Sequence, residues 1–434
     1  MATSQKLVIT NPKRLAAFQV GRERWFPYYA GFSSQFASKL VASSSLPKGS
    51  VVMDPWNGSG TTTACAVENG YKAVGFDLNP PMAVVGKARL LPHSELASVT
   101  PLLADILRKA ALSRRPWVEG KPLSIWFSPE AAMAIRRIER AIYGLLISEN
   151  DNKSAVDSAE GMSCTAAFFY VALFRAVRSL LLKFRVSNPT WMGRPRTASS
   201  RVRPGCLTVR ECFAASVVEM VLHSSAPTTN GTGRRADFRL AVASSENLPV
   251  GRREVDFVLS SPPYCTRIDY AVATSPELAV LGFRVESRLR ELRTGLIGTP
   301  TIHKEISDPA MSWGATCLAL LRRIRNHPSK AAKTYYYKTY VQYFAAMSRS
   351  FSELGRCLKL QGKCVLVVQD SYFKDLHVNL AGIFAEMADA ASLRLHRQVD
   401  FPISRTFGSV NSRSRHYRAE SSATESVLCF VKNA

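Results

Sequence analysis

The sequence predicts an open α/β fold, with a central, mostly parallel sheet flanked by helices and a largely helical insertion. Three observations carry that expectation. Apolar runs at Val51–Met53, Lys72–Phe76 and Val255–Leu259 have the length and boundaries of buried strands. The first two are joined by a glycine turn and a stretch of helical spacing, giving a strand–turn–helix–strand unit that ends in an acid. Between the second and the third lies a long stretch where helical periodicity replaces strand patterning.

Residues 1–50 form a lead-in expected to lie against the ligand site. Pro47-Lys48-Gly49-Ser50 bounds the first strand, which runs into Asp54-Pro55-Trp56-Asn57-Gly58-Ser59-Gly60-Thr61-Thr62. Glycines in such a turn allow tight backbone reversal and close approach of a ligand. Thr61 to Asn69 reads as a helix stopped by Gly70. The second strand ends at Asp77, about 20 residues past the turn, where a carboxylate can accept from ribose hydroxyls. Thr63 replaces the third glycine of a dinucleotide fingerprint, which weakens that reading. Taken alone, the unit is compatible with nicotinamide, flavin or S-adenosylmethionine.

Further along, Glu130 to Leu146 and Ala166 to Phe184 have apolar residues at helical spacing. Glu149 to Gly161, Pro189 to Gly205 and Ser224 to Gly233 read as loops. Strand patterning resumes near Phe238, and Leu289 to Thr334 adds more helix. Thr334 to Arg356 is a long amphipathic helix, followed by a strand at Cys364–Val368.

The Val255–Leu259 strand leads into Ser260-Ser261-Pro262-Pro263-Tyr264. Open α/β sheets bind ligands at that carboxyl edge. Two prolines fix the backbone and remove two N–H donors, leaving carbonyls free to accept. An aryl amine is a poor nucleophile because its lone pair is delocalised into the ring. Acceptors around its NH₂, here Ser261 Oγ and the Pro262 carbonyl, can draw it toward tetrahedral geometry. Tyr264 offers a face for an extruded base. A proline-rich turn or polyproline recognition motif is the plainer alternative.

Together, the two segments resemble the cofactor and catalytic motifs of the S-adenosylmethionine-dependent DNA amino-methyltransferases, which modify cytosine N4 or adenine N6. Trp25-Phe26-Pro27-Tyr28-Tyr29-Ala30-Gly31-Phe32 resembles the family's segment that encloses the methionine end of the cofactor. Val74 to Pro80, Asp269-Tyr270 with Glu277-Leu278 and Leu281-Gly282, and the closing strand within Arg418 to Lys432 are also similar. Leu358-Lys359-Leu360-Gln361-Gly362-Lys363 resembles the family's Leu-Lys-Pro-Gly-Gly turn, with departures at Leu360 and Gln361. Where many members carry an Asp near the adenine ring, this chain has Ala243-Ser244-Ser245-Glu246.

The resemblance implies a Rossmann-like methyltransferase. Its catalytic domain would be split into residues 1–85 and 237–434, with a basic, mostly helical target-recognition insertion at 86–236. S-adenosyl-L-methionine is the implied cofactor, held by Tyr28, Phe32, Asp54, Pro55, Gly58, Ser59, Gly60, Thr61 and Asp77. Ser261, Pro262, Pro263 and Tyr264 are the implied catalytic residues. Serine at the first tetrapeptide position is commoner in the cytosine-N4 enzymes of the family. An adenine-N6 enzyme, an RNA or protein amine methyltransferase, and a non-catalytic nucleic-acid-binding module are the alternatives. The expected partners are double-stranded DNA and a restriction or defence system, in a prokaryotic, nucleoid-associated cytoplasm.

Composition fits a polyanion partner, with a membrane surface or an acidic protein as the alternatives that charge alone leaves open. The 434 residues carry a formal charge of +24 with 46% hydrophobic content. Nine scattered cysteines form no CxxC pair, which argues against structural zinc and disulfides. No apolar run is long enough to span a bilayer, and no signal peptide is recognised. From Arg175 to Arg210 there are nine arginines and lysines and no acid. Arg185, Asn188, Trp191, Arg194, Arg196, Arg201 and Arg203 are the DNA-contact candidates within it, able to grip phosphates or read bases. A solvated basic surface around a core tryptophan is the alternative. A second cluster comprises Arg405, Arg413, Arg415, His416 and Arg418. Cys265 and Tyr335-Tyr336-Tyr337 are read as pocket wall and packing residues.

Overall fold

A computed structural model describes residues 7–14, 20–26, 28, 31–113, 122–148, 154–186, 191–224, 237–265, 268–303, 305–403 and 423–433. After a 3-10 turn at Gly21–Trp25, the first elements are α1 (Ser34–Ala42), β1 (Val51–Asp54), α2 (Thr61–Glu68), β2 (Lys72–Phe76) and α3 (Pro80–Arg89). Four insertion helices follow: α4 (Leu96–Leu112), α5 (Pro129–Leu146), α6 (Cys164–Leu180) and α7 (Cys206–Leu222). Next come β3 (Phe238–Ala241), β4 (Val255–Ser260), α8 (Tyr270–Ala273), α9 (Ser275–Val280), α10 (Val285–Gly295) and α11 (Ala315–Asn326). A π-helical turn at Ala332–Tyr336 leads into α12 (Tyr337–Cys357) and β5 (Leu358–Gln369). The chain closes with the hairpin β6 (Ser371–Phe373) and β7 (Leu376–Val378), then α13 (Leu380–Ala390), β8 (Leu393–Ile403) and β9 (Ala423–Lys432).

The main sheet has the order β3-β2-β1-β4-β5-β9-β8. β2 and β3 pair parallel, as do β1 with β2, β1 with β4, and β4 with β5, while β9 runs antiparallel to both of its neighbours. This is the α/β sheet expected, with one antiparallel strand near an edge. Successive residues point to opposite faces. Val52, Phe257, Leu259, Val365 and Val367 pack under α1 and α2. Met53, Val258, Cys364 and Leu366 pack under α11, α12 and α13. Strand order reverses between β1 and β4, and the crevice at such a switch point is where open sheets bind ligands.

The insertion lies in the crossover from α3 to β3 and shares a core with α3, α8 and α9. Two arginines tie it to the segment after β4. Arg178 of α6 bonds the buried Glu277 carboxylate and donates to the Ala273 carbonyl at 2.9 Å. Arg136 of α5 donates to the Ala279 and Val280 carbonyls, each at 2.9 Å, capping α9 while pairing with Glu139. Trp25 of the lead-in donates its indole N–H to the Met220 carbonyl at 2.9 Å.

Some boundaries differ from expectation. The Ala166–Phe184 helix stops at Leu180, and Leu182–Phe184 continues as a 3-10 turn. Leu358–Lys363 is no free turn. It is the start of β5, where the register jumps from Val255↔Leu358 to Phe257↔Lys363 and Gln361 takes φ 63° as a bulge. Strand β8 was not anticipated.

Candidate active site

Asp54, at the carboxyl end of β1, is buried, and Ser260, at the end of β4, donates to its Oδ1 at 2.5 Å. The Trp56 N–H donates to the same oxygen at 3.1 Å. Thr62 Oγ1 donates to the Leu259 carbonyl at 2.9 Å, a second tie between the glycine turn and β4. Residues 206 apart in sequence are thereby fixed across the switch point. Burial raises the Asp54 pKa to about 6, against the pull of its hydrogen bonds.

Between these strands opens a cleft continuous with solvent. Of the sequence-predicted residues, Tyr28, Phe32, Asp54, Pro55, Gly58, Ser59, Thr61, Asp77, Ser261, Pro262, Pro263 and Tyr264 all line it. Gly60 does not. It caps α2 at φ 81°, and a Cβ there would stand 2.9 Å from the Gly86 Cα of α3, so it serves the close contact of two helices. Gly58, at φ 47°, would put a Cβ 2.8 Å from the Tyr28 ring.

The turn has supports that the sequence did not reveal. Buried Arg89 of α3 donates to the Ser59 carbonyl at 2.9 Å and to Thr61 Oγ1 at 3.2 Å. Asn57 is buried, donating its N–H to the Phe76 carbonyl at 2.8 Å and accepting from Thr63 Oγ1 at 3.0 Å. Thr63, where a third glycine was missing, is thus part of the turn's anchor. Asp77 accepts from the Gly58 and Asn79 N–H groups, each at 2.9 Å. Burial again dominates, lifting its pKa to about 6.

Beside the acids lie Leu78, Met82, Ala243, Ser244 and Ser245, which give that end of the cleft an apolar and hydroxyl lining. Glu246, by contrast, turns away and pairs with Arg349. On the tetrapeptide, the Pro263 carbonyl accepts from Tyr343 at 2.8 Å, which leaves the Pro262 carbonyl and Ser261 Oγ as the acceptors without a donor among the described residues. Gly298 packs against the Tyr264 carbonyl, where a Cβ would stand at 2.7 Å. Burial raises the Tyr28 pKa well above its ordinary value, so its phenol stays neutral. Cys265, read as a pocket-wall residue, is buried at the wall of a neighbouring cleft.

After α6, the described residues 191–205 of the basic stretch are tied to the fold at two places. The Gly193 N–H donates to the Phe184 carbonyl at 3.0 Å, and Trp126 Nε1 donates to the Gly193 carbonyl at 2.9 Å. Val202 pairs with Phe127. Trp191 is half-exposed, and Arg185, Arg194, Arg196 and Arg203 are exposed. Among the described residues, Arg185, Arg194, Arg196 and Arg201 form no ion pair. Asn188 and the cluster from Arg405 to Arg418 lie outside the described residues. No metal-binding group of His, Cys, Asp or Glu occurs among the described residues, and no described helix is long and apolar enough to cross a membrane.

Part of the chain is similar to known proteins. Residues 11–84 match the DNA methylase family of N6 and N4 enzymes. A curated relative, the Type II methyltransferase M.BsoBI of Geobacillus stearothermophilus, is 33% identical over 72 residues, which are 16% of this chain and 14% of that protein. Among solved structures, a phosphoethanolamine N-methyltransferase of Haemonchus contortus, complexed with phosphomonomethylethanolamine and S-adenosylhomocysteine, covers 90% of this chain and 50% of its own at 8% identity. Its TM-score is 0.27, so the fold is read from the strand order itself. Over residues 11–84, which hold the glycine turn and Asp77, the chain is similar to the DNA amino-methyltransferase family.

Proposed function

We propose that the chain is an S-adenosylmethionine-dependent DNA methyltransferase whose target is an exocyclic base amine, cytosine N4. One observation carries the reading: the glycine turn and the Ser-Pro-Pro-Tyr segment form two walls of one cleft, tied through Asp54 and Ser260. The residues present suit the cofactor. Asp77 can accept from ribose hydroxyls, Gly58 admits a close ligand, and Leu78 and Met82 can flank a purine.

When bound, the cofactor supplies a methyl group on a sulfonium, an already activated electrophile. The protein's task is to orient the amine and exclude water. Ser261 Oγ and the Pro262 carbonyl accept from the NH₂, localising its lone pair. Tyr343 holds the Pro263 carbonyl, which fixes the tetrapeptide's backbone. Tyr264 stacks the extruded base. The amine's proton leaves through Ser261 or solvent, so no strong base is needed. The small serine hydroxyl favours the cytosine reading within the family resemblance.

In this reading, residues 86–236 serve target recognition, with Arg185, Trp191, Arg194, Arg196, Arg201 and Arg203 facing the duplex. Incubation with radiolabelled S-adenosylmethionine and, separately, duplex DNA, RNA and protein tests it. Label in duplex DNA is expected. Label confined to RNA or protein overturns the substrate assignment.

A further inference from the structure

A second basic surface stands on the other flank of the cleft. From Pro309 to Ser352 the chain has seven arginines and lysines and no acid. Arg322, Arg323 and Arg325 come from the end of α11, Lys330 and Lys333 from the π-turn region, and Lys338 from the first turn of α12, and all six are exposed. Among the described residues, Arg325, Lys330, Lys333 and Lys338 form no ion pair. Asp375, a nearby carboxylate, is already bonded by His327 Nε2 at 2.7 Å.

Tyrosines floor this surface. The Arg325 guanidinium lies 5.6 Å from the Tyr337 ring centroid, and the Lys374 ammonium lies 5.9 Å from that of Tyr336. Phe373, in the hairpin after β5, packs 5.0 Å from Tyr336 and 6.0 Å from Tyr340, centroid to centroid.

The surface stands at the cleft's own edge of the sheet. Helix α12 ends where Cys357 accepts from the Glu254 N–H beside the start of β4, and Tyr343, nearer its other end, reaches Pro263 just past the end of β4. Its amino terminus and the π-turn therefore project beyond the carboxyl edge. Tyr335 donates to the Pro300 carbonyl at 3.0 Å, two residues from the glycine that touches Tyr264. Helices α11 and α12 cover the face of the sheet opposite α1 and α2. The basic loop after α6 emerges instead from the insertion, which is built onto α3.

We infer that the Arg325–Lys338 surface is a second DNA contact, gripping backbone phosphates of the same duplex on the side of the cleft away from the insertion loop. The inference rests on the DNA reading above. Its chemistry is that of phosphate contact: a cluster of exposed cations, four of them without an ion pair among the described residues and one, Arg325, set over a tyrosine ring. Contacts on both flanks would brace the duplex while one base is drawn into the cleft.

The test is the triple variant Lys330→Gln, Lys333→Gln, Lys338→Gln, assayed on a duplex of roughly 30 base pairs, long enough to pass both flanks at 3.4 Å per step. These side chains are exposed and absent from the cleft lining, so S-adenosylmethionine affinity should match the parent. The slope of log K against log salt should fall by about 2.7, or about 0.9 for each lost phosphate contact. Across a fourfold salt rise, the parent then loses about 40-fold more affinity than the variant. A duplex trimmed to the target site should bind parent and variant more nearly alike. Equal slopes and affinities on the long duplex overturn the inference. So does a variant that loses binding to phosphatidylserine vesicles while keeping its DNA binding, which would assign the surface to a membrane. A parent protein that methylates no DNA would defeat the functional reading, but the salt slopes of parent and variant would still decide this surface.

Discussion

Cofactor affinity should depend on pH through Asp77. Its carboxyl faces the cleft, and burial lifts its pKa to about 6 despite two backbone N–H donors. A ribose hydroxyl donates to the ionised form, so binding favours carboxylate and releases a proton. The sign follows directly: affinity is full above the free protein's pKa and falls as pH drops through it. With a pKa near 6, the ionised fraction falls from about 0.9 at pH 7 to about 0.1 at pH 5, a roughly tenfold loss of apparent affinity. Asp54, also raised to about 6, steepens the fall if it too must ionise. Asp77→Asn removes the charged acceptor and should cost about 1.5–3 kcal/mol of binding, with a shallower pH dependence. Calorimetry in buffers of different ionisation enthalpy measures both affinity and proton release. Affinity that is flat between pH 5 and 7, or proton uptake on binding, would refute the reasoning.

Two further perturbations separate scaffold from recognition. Gly60→Ala forces a side chain into left-handed backbone against Gly86, and should lower stability by about 1–3 kcal/mol in thermal or denaturant melts. An unchanged melt would mean that the α2–α3 contact relaxes easily. Replacing Arg194 and Arg196 with Ala should reduce the salt slope of DNA binding by about 0.9 per phosphate contact, or reduce sequence discrimination if they read bases. No change in either quantity would move recognition away from this loop.

Much of the scaffold was legible because its signals are local. The β1–α2–β2 unit carries strand, turn and helix-stop residues in consecutive order, and each element falls within a residue or so of its expected place. Twelve of the thirteen proposed cofactor and catalytic positions share the cleft, since each sits next to a strand end that the pattern located. Gly60 falls outside the cleft lining: a positive φ serves helix packing as readily as ligand approach, and the sequence pattern does not separate the two. Strand β8 escaped notice because it is an edge strand whose apolar alternation, Leu393, Leu395, Val399, Phe401 and Ile403, is interrupted by Arg397 beside a register shift, and its polar positions are charged or exposed. Arg89, Ser260 and Tyr343 act through partners 30 to 206 residues away, which no local pattern could announce. The tyrosines at 335–337 were read as packing, and they are that, but their setting among exposed lysines emerges only once α11, the π-turn and the β6–β7 hairpin meet.

The most direct measurement is mass spectrometry of nucleosides from duplex DNA incubated with S-adenosylmethionine and either the parent protein or Ser261→Ala. The account predicts N4-methylcytosine with the parent. It predicts a loss of roughly 10²–10³ in rate for the variant, the scale of one preorganised hydrogen bond at a reacting group, with cofactor binding intact. N6-methyladenine as the sole product would contradict the cytosine assignment. A fully active Ser261→Ala, or no methylated base with the parent, would contradict the mechanism itself.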